Sequence, residues 1–139
     1  MLSFFSKNKD NESNKYSLHI KTAALLIYAA KIDENYSDIE KKIIKTTLIN
    51  LGVNEENLEK VFKEAEKIES NSNQILEFTK EIKKADKNFK IKIFESLWHI
   101  IYSDGNADIY ENSLMRRLSG LLYLEDKIVG EIKKKVKFN

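Results

Sequence analysis

Eight consecutive residues, Ala23 to Ala30, carry no charge. With Ile20 they crowd a helix expected over about Ser17 to Ile32 with apolar groups on nearly every side. Such a helix has no face to offer water, so other helices must enclose it. A second stretch has the same character: Phe89, Ile91, Ile93, Phe94, Leu97, Trp98, Ile100, Ile101 and Tyr102. Two enclosed helices require a shell of amphipathic ones.

The chain supplies that shell. After Ser37, Ile39, Ile43, Ile44, Thr47, Leu48 and Leu51 fall at helical spacing, and Gly52 stops the run as a C-terminal cap does. Asn54 is a good N-cap for a third helix with Leu58, Val61, Phe62, Ala65 and Ile68 on one stripe. Beyond the polar break from Ser70 to Asn73, a fourth carries Ile75, Leu76, Phe78, Thr79 and Ile82 and is expected to end near Asp86 to Asn88. A sixth begins after Asp108 with Leu114, Met115, Leu118, Leu121 and Leu122. The last runs from about Glu125 with Ile128, Val129, Ile132 and Val136. There is no proline, and glycine occurs four times in 139 residues. With so few breakers the reading is all-α, about seven helices in one compact bundle.

Shifting the sequence by 71 residues, which carries Leu26 onto Leu97, also superposes Asp33 on Asp104, Asn35 on Asn106, Glu40 on Glu111 and Leu51 on Leu122. The flanks agree in kind: Ile27 with Trp98, Ala29 with Ile100, Ile43 with Leu114, Ile44 with Met115. Each unit is a very apolar helix, a short acidic turn and an amphipathic helix, so the bundle is expected to hold two pseudo-repeated helical hairpins.

The acidic turns are the candidate sites. Unit one reads Asp33 to Glu40 and unit two Asp104 to Glu111. Oxygen donors at alternate positions are what a hard divalent cation of the Ca²⁺ or Mg²⁺ class takes. Asp104, Asn106 and Asp108 match the opening of an EF-hand loop, but Ile109 and Met115 stand where its glycine and closing glutamate belong, so unit two is not an EF-hand. Any bound cation needs Glu111 to close the site. Capping competes with this reading. Ser37 with Glu40, and Asp108 with Glu111, each have capping-box spacing, which accounts for these residues without a metal. It does not account for the recurrence of Asp33 as Asp104.

Other residues lead to quieter readings. Arg116 and Arg117, the only arginines, are expected to pair with the acids of the other unit's turn, an anion or partner site being the alternative. His99 reads as a core or boundary histidine rather than a ligand, and His19 as exposed near a helix start. Lys133, Lys134, Lys135 and Lys137 suit the negative end of a helix dipole. With a net charge of +2 they give no ground for nucleic-acid binding. There is no cysteine, so thiolate metal sites, disulfides and cysteine nucleophiles are excluded. No triad spacing, nucleophile elbow or phosphate-cradling glycine loop occurs, which argues against an enzyme and against a small-molecule substrate.

No segment approaches the roughly 20 apolar residues that cross a membrane. The apolar start, Met1 to Phe5, precedes a polar stretch from Ser6 to Lys15, the reverse of a secretory signal. The expectation is a cytoplasmic protein, monomer or weak homodimer, with a flexible arm over residues 1–15 and a helical domain over 16–139. A frayed end is the simpler reading of the arm, and Phe4 and Phe5 could instead touch a partner or a membrane.

The run Leu97-Trp98-His99-Ile100-Ile101-Tyr102-Ser103-Asp104-Gly105, followed by Asp108, Glu111, Arg116-Arg117 and Leu121-Leu122, resembles the TerB-like family. That family includes the tellurite-resistance protein TerB and is related to the N-terminal domain of the DjlA co-chaperone. Ala23-Ala24-Leu25-Leu26 through Asp33 and Glu40 resembles its first motif, and the resemblance covers about Tyr16 to Val136. The opening Met1-Leu2-Ser3-Phe4-Phe5 suits the form consisting of this domain alone. The resemblance implies an all-helical domain whose two acidic motifs bind divalent metal, serving as an intracellular scaffold in stress or tellurite response, some members beside membrane-associated protein partners. Carried over, the candidate ligands are Asp33 and Glu40, then Asp104, Asp108 and Glu111. Unit one departs from the family pattern, with Glu34 in place of the usual glycine and Ser37 in place of the usual acid, so the better site is expected in unit two.

Overall fold

The computed structural model describes residues 2–32, 36–72, 74–104 and 107–137, with side chains from Asn14 onward apart from that of Asp104. Among the described residues there are seven α-helices and no strand: α1 (Leu2–Lys31), α2 (Asp38–Asn50), α3 (Glu55–Ser70), α4 (Leu76–Ile82), α5 (Lys87–Ile101), α6 (Ile109–Leu121) and α7 (Asp126–Lys137). A 3₁₀ turn over Tyr102–Asp104 follows α5.

The two apolar helices are the centre. α1 packs against α2, α3, α4 and α5, and α5 packs against α1, α2, α6 and α7. Ala23 to Ile27 are fully enclosed, as are Ile93, Phe94 and Leu97, and all join one core. The small side chains of Ala23, Ala24, Ala29 and Ala30 suit close approach on several sides, because little side chain stands between α1 and its neighbours.

The repeat holds to the residue and is longer than the expected hairpin. α2 and α6 begin and end 71 residues apart, at Asp38 and Ile109, then Asn50 and Leu121; α3 and α7 begin at the same offset, at Glu55 and Asp126. The buried face of the third helix is kept too, since Val61 corresponds to Ile132 and Ala65 to Val136 and all four are buried. The duplicated unit therefore has three helices.

Both second helices end in one way. The Gly52 N–H donates to Ile49 O at 3.0 Å and the Val53 N–H to Leu48 O at 2.9 Å; the Tyr123 N–H donates to Gly120 O at 3.2 Å and the Leu124 N–H to Ser119 O at 3.0 Å. This is the paired Schellman closure, which needs a left-handed residue after the cap. Unit one uses Gly52 at φ 107°, whereas unit two forces Tyr123 to φ 58°. A non-glycine residue there costs about 1–2 kcal/mol, partly offset by the smaller chain entropy it loses on folding. Tyr123→Gly should raise the unfolding free energy by about 0.5–1 kcal/mol. Gly52→Ala should lower it by about 1 kcal/mol through the backbone alone, since a β-carbon there meets nothing within 4 Å. Urea midpoints at constant m-value test both.

Three expectations change. The first helix does not start at Ser17 but runs unbroken from Leu2 through the stretch read as an arm. No glycine or proline interrupts these residues, and extending a formed helix adds one hydrogen bond per residue fixed. The fourth helix stops at Ile82, and Asp86 instead opens α5, its side chain accepting the Phe89 N–H at 2.9 Å. Asn54 occupies the N-cap of α3 but makes no side-chain capping bond.

Candidate functional site

The acidic turns lead into α2 and α6, whose first residues are held by reciprocal capping. Ser37 Oγ accepts the Glu40 N–H at 3.2 Å, and Glu40 Oε1 accepts the Ser37 N–H and hydroxyl, each at 3.0 Å. In unit two Asp108 Oδ1 accepts the Glu111 N–H at 2.8 Å, and Glu111 Oε1 accepts the Asp108 N–H at 3.1 Å. Both spacing-based capping boxes are thus formed. Both glutamates are also buried, at 5% exposure for Glu40 and 3% for Glu111. A helix cap does not require burial, and taking a carboxylate out of water is costly unless it is compensated.

Of the other candidate ligands, Asp108 is exposed and serves as the α6 N-cap. Asp33 lies outside the described residues, as do Glu34, Asn35, Gly105, Asn106 and the side chain of Asp104. Among the described residues no three His, Asp or Glu side chains converge on a common cation position. The structure brings Asp108 together with Glu111 and holds Glu40 in the cap of α2, while Asp33 and the side chain of Asp104 lie outside the described residues.

Unit one has a polar neighbourhood that the sequence reading missed. The Tyr36 hydroxyl is buried beside the Glu66 carboxylate. Burial first, then the Glu66, Glu69 and Glu40 carboxylates, push its phenol above the ordinary range. Glu69 is buried and pairs with Lys31 at 2.7 Å, and Lys41 lies 4.9 Å from the Tyr36 ring centroid. Glu66 and Glu69 come from α3, in the part of the repeat that the hairpin reading left out.

The histidines exchange roles. His19 is half-buried, stacks on Phe89 at 6.4 Å, and in its neutral tautomer donates from Nε2 to Leu51 O at 3.3 Å. It sits in mid-helix because α1 starts so early. His99 is exposed instead. Burial lowers the His19 pKa from its ordinary 6.5, against the hydrogen bond to Leu51 and with a smaller lowering from Lys15. The folded state then binds fewer protons than the unfolded chain. Stability is full above pH 6.5 and falls as the pH drops towards the lowered value. Urea midpoints of the wild type should decline between pH 7 and about pH 5 more steeply than those of His19→Gln, and equal slopes would sink the assignment.

Arg116 and Arg117 are exposed and form no ion pair with a described residue, contrary to the salt-bridge expectation. Of the acids in the other unit's turn, Asp33 and Glu34 lie outside the described residues, and Glu40 is held in its own cap with Ser37.

A larger feature was also absent from the sequence reading. A cleft of about 1360 Å³ opens between α2, α5 and α7, and its lip includes Ser103 and Ala107 beside the unit-two turn.

These features define an all-helical domain built from a duplicated three-helix unit, each copy holding a buried capping glutamate beside an acidic turn. Residues 19–134 match the family model described as tellurite resistance protein TerB, and the chain belongs to that family. No curated protein and no solved structure matches it. Among the described residues no helix is long and apolar enough to cross a membrane.

Proposed function

We propose that this domain is a cytoplasmic, non-enzymatic binding module of the TerB type. In this reading it holds a divalent cation of the Ca²⁺ or Mg²⁺ class at its acidic turns and presents the bundle to a protein partner in a stress- or tellurite-type response. The observation that carries the reading is the pairing of Glu40 with Glu111. Two carboxylates at one offset are buried in one geometry, each beside a turn that repeats an aspartate. The donor set fits the cation class: Asp104, Asp108 and Glu111, with Asp33 and Glu40, offer only oxygens and neither thiolate nor imidazole.

A second reading, a metal-free interaction domain, is favoured by the completeness of both capping boxes. Thermal melts of chelator-treated protein separate the two. At about 100 times its Kd a cation should add about 2.7 kcal/mol, a rise of roughly 8 °C for a domain of this size. Asp104→Ala/Glu111→Ala should abolish the rise. Identical melts with Ca²⁺, Mg²⁺, Mn²⁺, Zn²⁺ and chelator would leave the metal-free reading.

A further inference from the structure

The two copies of the third helix keep their buried faces and differ in charge. Where α3 has Phe62, Glu64 and Glu66, α7 has Lys133, Lys135 and Lys137. Those lysines do more than complement a helix dipole. Lys133 lies 5.0 Å from the Trp98 ring centroid, and Lys135 pairs with Glu95 at 3.2 Å. Lys133 and Lys137 also line the cleft between α2, α5 and α7, together with Lys42 from α2 and Lys92 from α5. None of these four cleft lysines forms an ion pair with a described residue. Among the described residues Glu95 is the one carboxylate in the lining, and it is the partner of Lys135. A chain of net charge +2 thus gathers along one concavity four lysines that have no ion-pair partner among the described residues. Low-dielectric walls focus such a field on whatever enters.

The size and the apolar lining say what kind of anion suits it. The cleft is larger than the roughly 300–1,000 Å³ of a small-molecule site. Ile39 and Ile43 line the cleft together with the lysines, and Ile39 is 65% exposed. A simple anion would use the charges and leave that apolar surface wet. An amphipathic helix uses both, with its apolar side chains on Ile39 and Ile43 and its carboxylates towards the lysines.

We infer that the cleft between α2, α5 and α7 is a docking site for an acidic amphipathic helical segment of a partner protein. This rests on reading the domain as a protein-binding module and is independent of any cation.

The test uses the full chain in chelator, so its failure would leave the cation melts untouched. A labelled synthetic helix of alternating Glu and Leu faces is titrated by anisotropy, beside a scrambled peptide of equal charge and a Lys/Leu counterpart. Trp98, the only tryptophan, reports independently, because Lys133 covers its ring and Tyr102 stacks on it at 5.3 Å. The Glu/Leu helix should bind, the Lys/Leu helix should not, and Lys92→Glu/Lys137→Glu should weaken binding by about tenfold or more. Both lysines are exposed, so the double variant should stay folded, the loss of Lys137 at the end of α7 costing only a small helix-dipole contribution. The inference is overturned if the Glu/Leu helix fails to bind, if the double variant binds it equally, or if the scrambled peptide or inorganic phosphate competes as well as the helix does. It is overturned too if sedimentation shows a wild-type dimer that this variant dissociates, since the occupant is then a second copy of the chain.

Discussion

Leu97→Ala should lower the unfolding free energy by about 3 kcal/mol, and Leu26→Ala should do the same. The two leucines are repeat-related and fully enclosed, one on each central helix. Removing a buried leucine side chain costs its transfer free energy plus the cavity left behind, about 2–5 kcal/mol where neighbours cannot collapse. Collapse is hardest at the middle of a bundle. α5 is hemmed in by α1, α2, α6 and α7, and α1 by α2, α3, α4 and α5. Moving one neighbour inward would pull it off its other contacts. Against a total stability of about 5–15 kcal/mol such a loss is large. Leu76→Ala is the control, because Leu76 is 50% exposed and its truncation should cost less than about 0.5 kcal/mol. Urea unfolding of the three variants decides the matter. A midpoint for Leu26→Ala or Leu97→Ala within error of the Leu76→Ala midpoint would mean that the bundle is not centred on α1 and α5.

The centre was legible because its signal is local: a run such as Ala23 to Ala30 admits no surface position whatever surrounds it. The start of α1 was not, because residues 2–15 lack apolar periodicity. Periodicity reports burial, and a helix can form without it where nothing breaks the chain. The same misplacement made His19 look terminal and exposed, although it lies beside Leu51 and Phe89. Arg116 and Arg117 carried no such local signal, because reaching the other unit's acids depends on how the two units pack.

Non-local features were the least legible. The capping boxes followed from spacing alone, since their partners stand three residues apart. The burial of Glu40 and Glu111 did not, because it depends on what packs over the first turns of α2 and α6. Tyr36 meets Glu66 and Glu69 only after α3 folds back along α1. The basic cleft draws Lys42, Lys92 and Lys133 from three helices far apart in the chain. Its lysines could be seen in the sequence, but two of the four, Lys133 and Lys137, were accounted for by the helix dipole and the other two stand far from them in the chain. The charge contrast between α3 and α7 becomes meaningful once both are recognised as the third helix of one repeat.

Glu111 separates a cap from a ligand more sharply than any other residue here. Glu111→Ala removes the acceptor of the Asp108 N–H and empties a buried site, so it should cost about 2 kcal/mol with or without cation. Glu111→Gln differs in kind. The amide oxygen can still accept the Asp108 N–H, and glutamine serves at this place in a capping box. The charge is gone, and with it the expense of burying a carboxylate beside an acidic turn. In chelator this variant should therefore equal or exceed the wild type in stability. With a saturating hard cation the order should reverse, because the wild type gains about 2.7 kcal/mol at 100 times its Kd while the glutamine variant gains little. Glu40→Gln should cross over in the same way with a smaller gain, since Ser37 stands in unit one where unit two has the carboxylate of Asp108. Paired thermal melts of wild type and both variants, with chelator and with each cation, read this crossing directly. Curves that keep their order under every condition would assign Glu40 and Glu111 to helix capping alone.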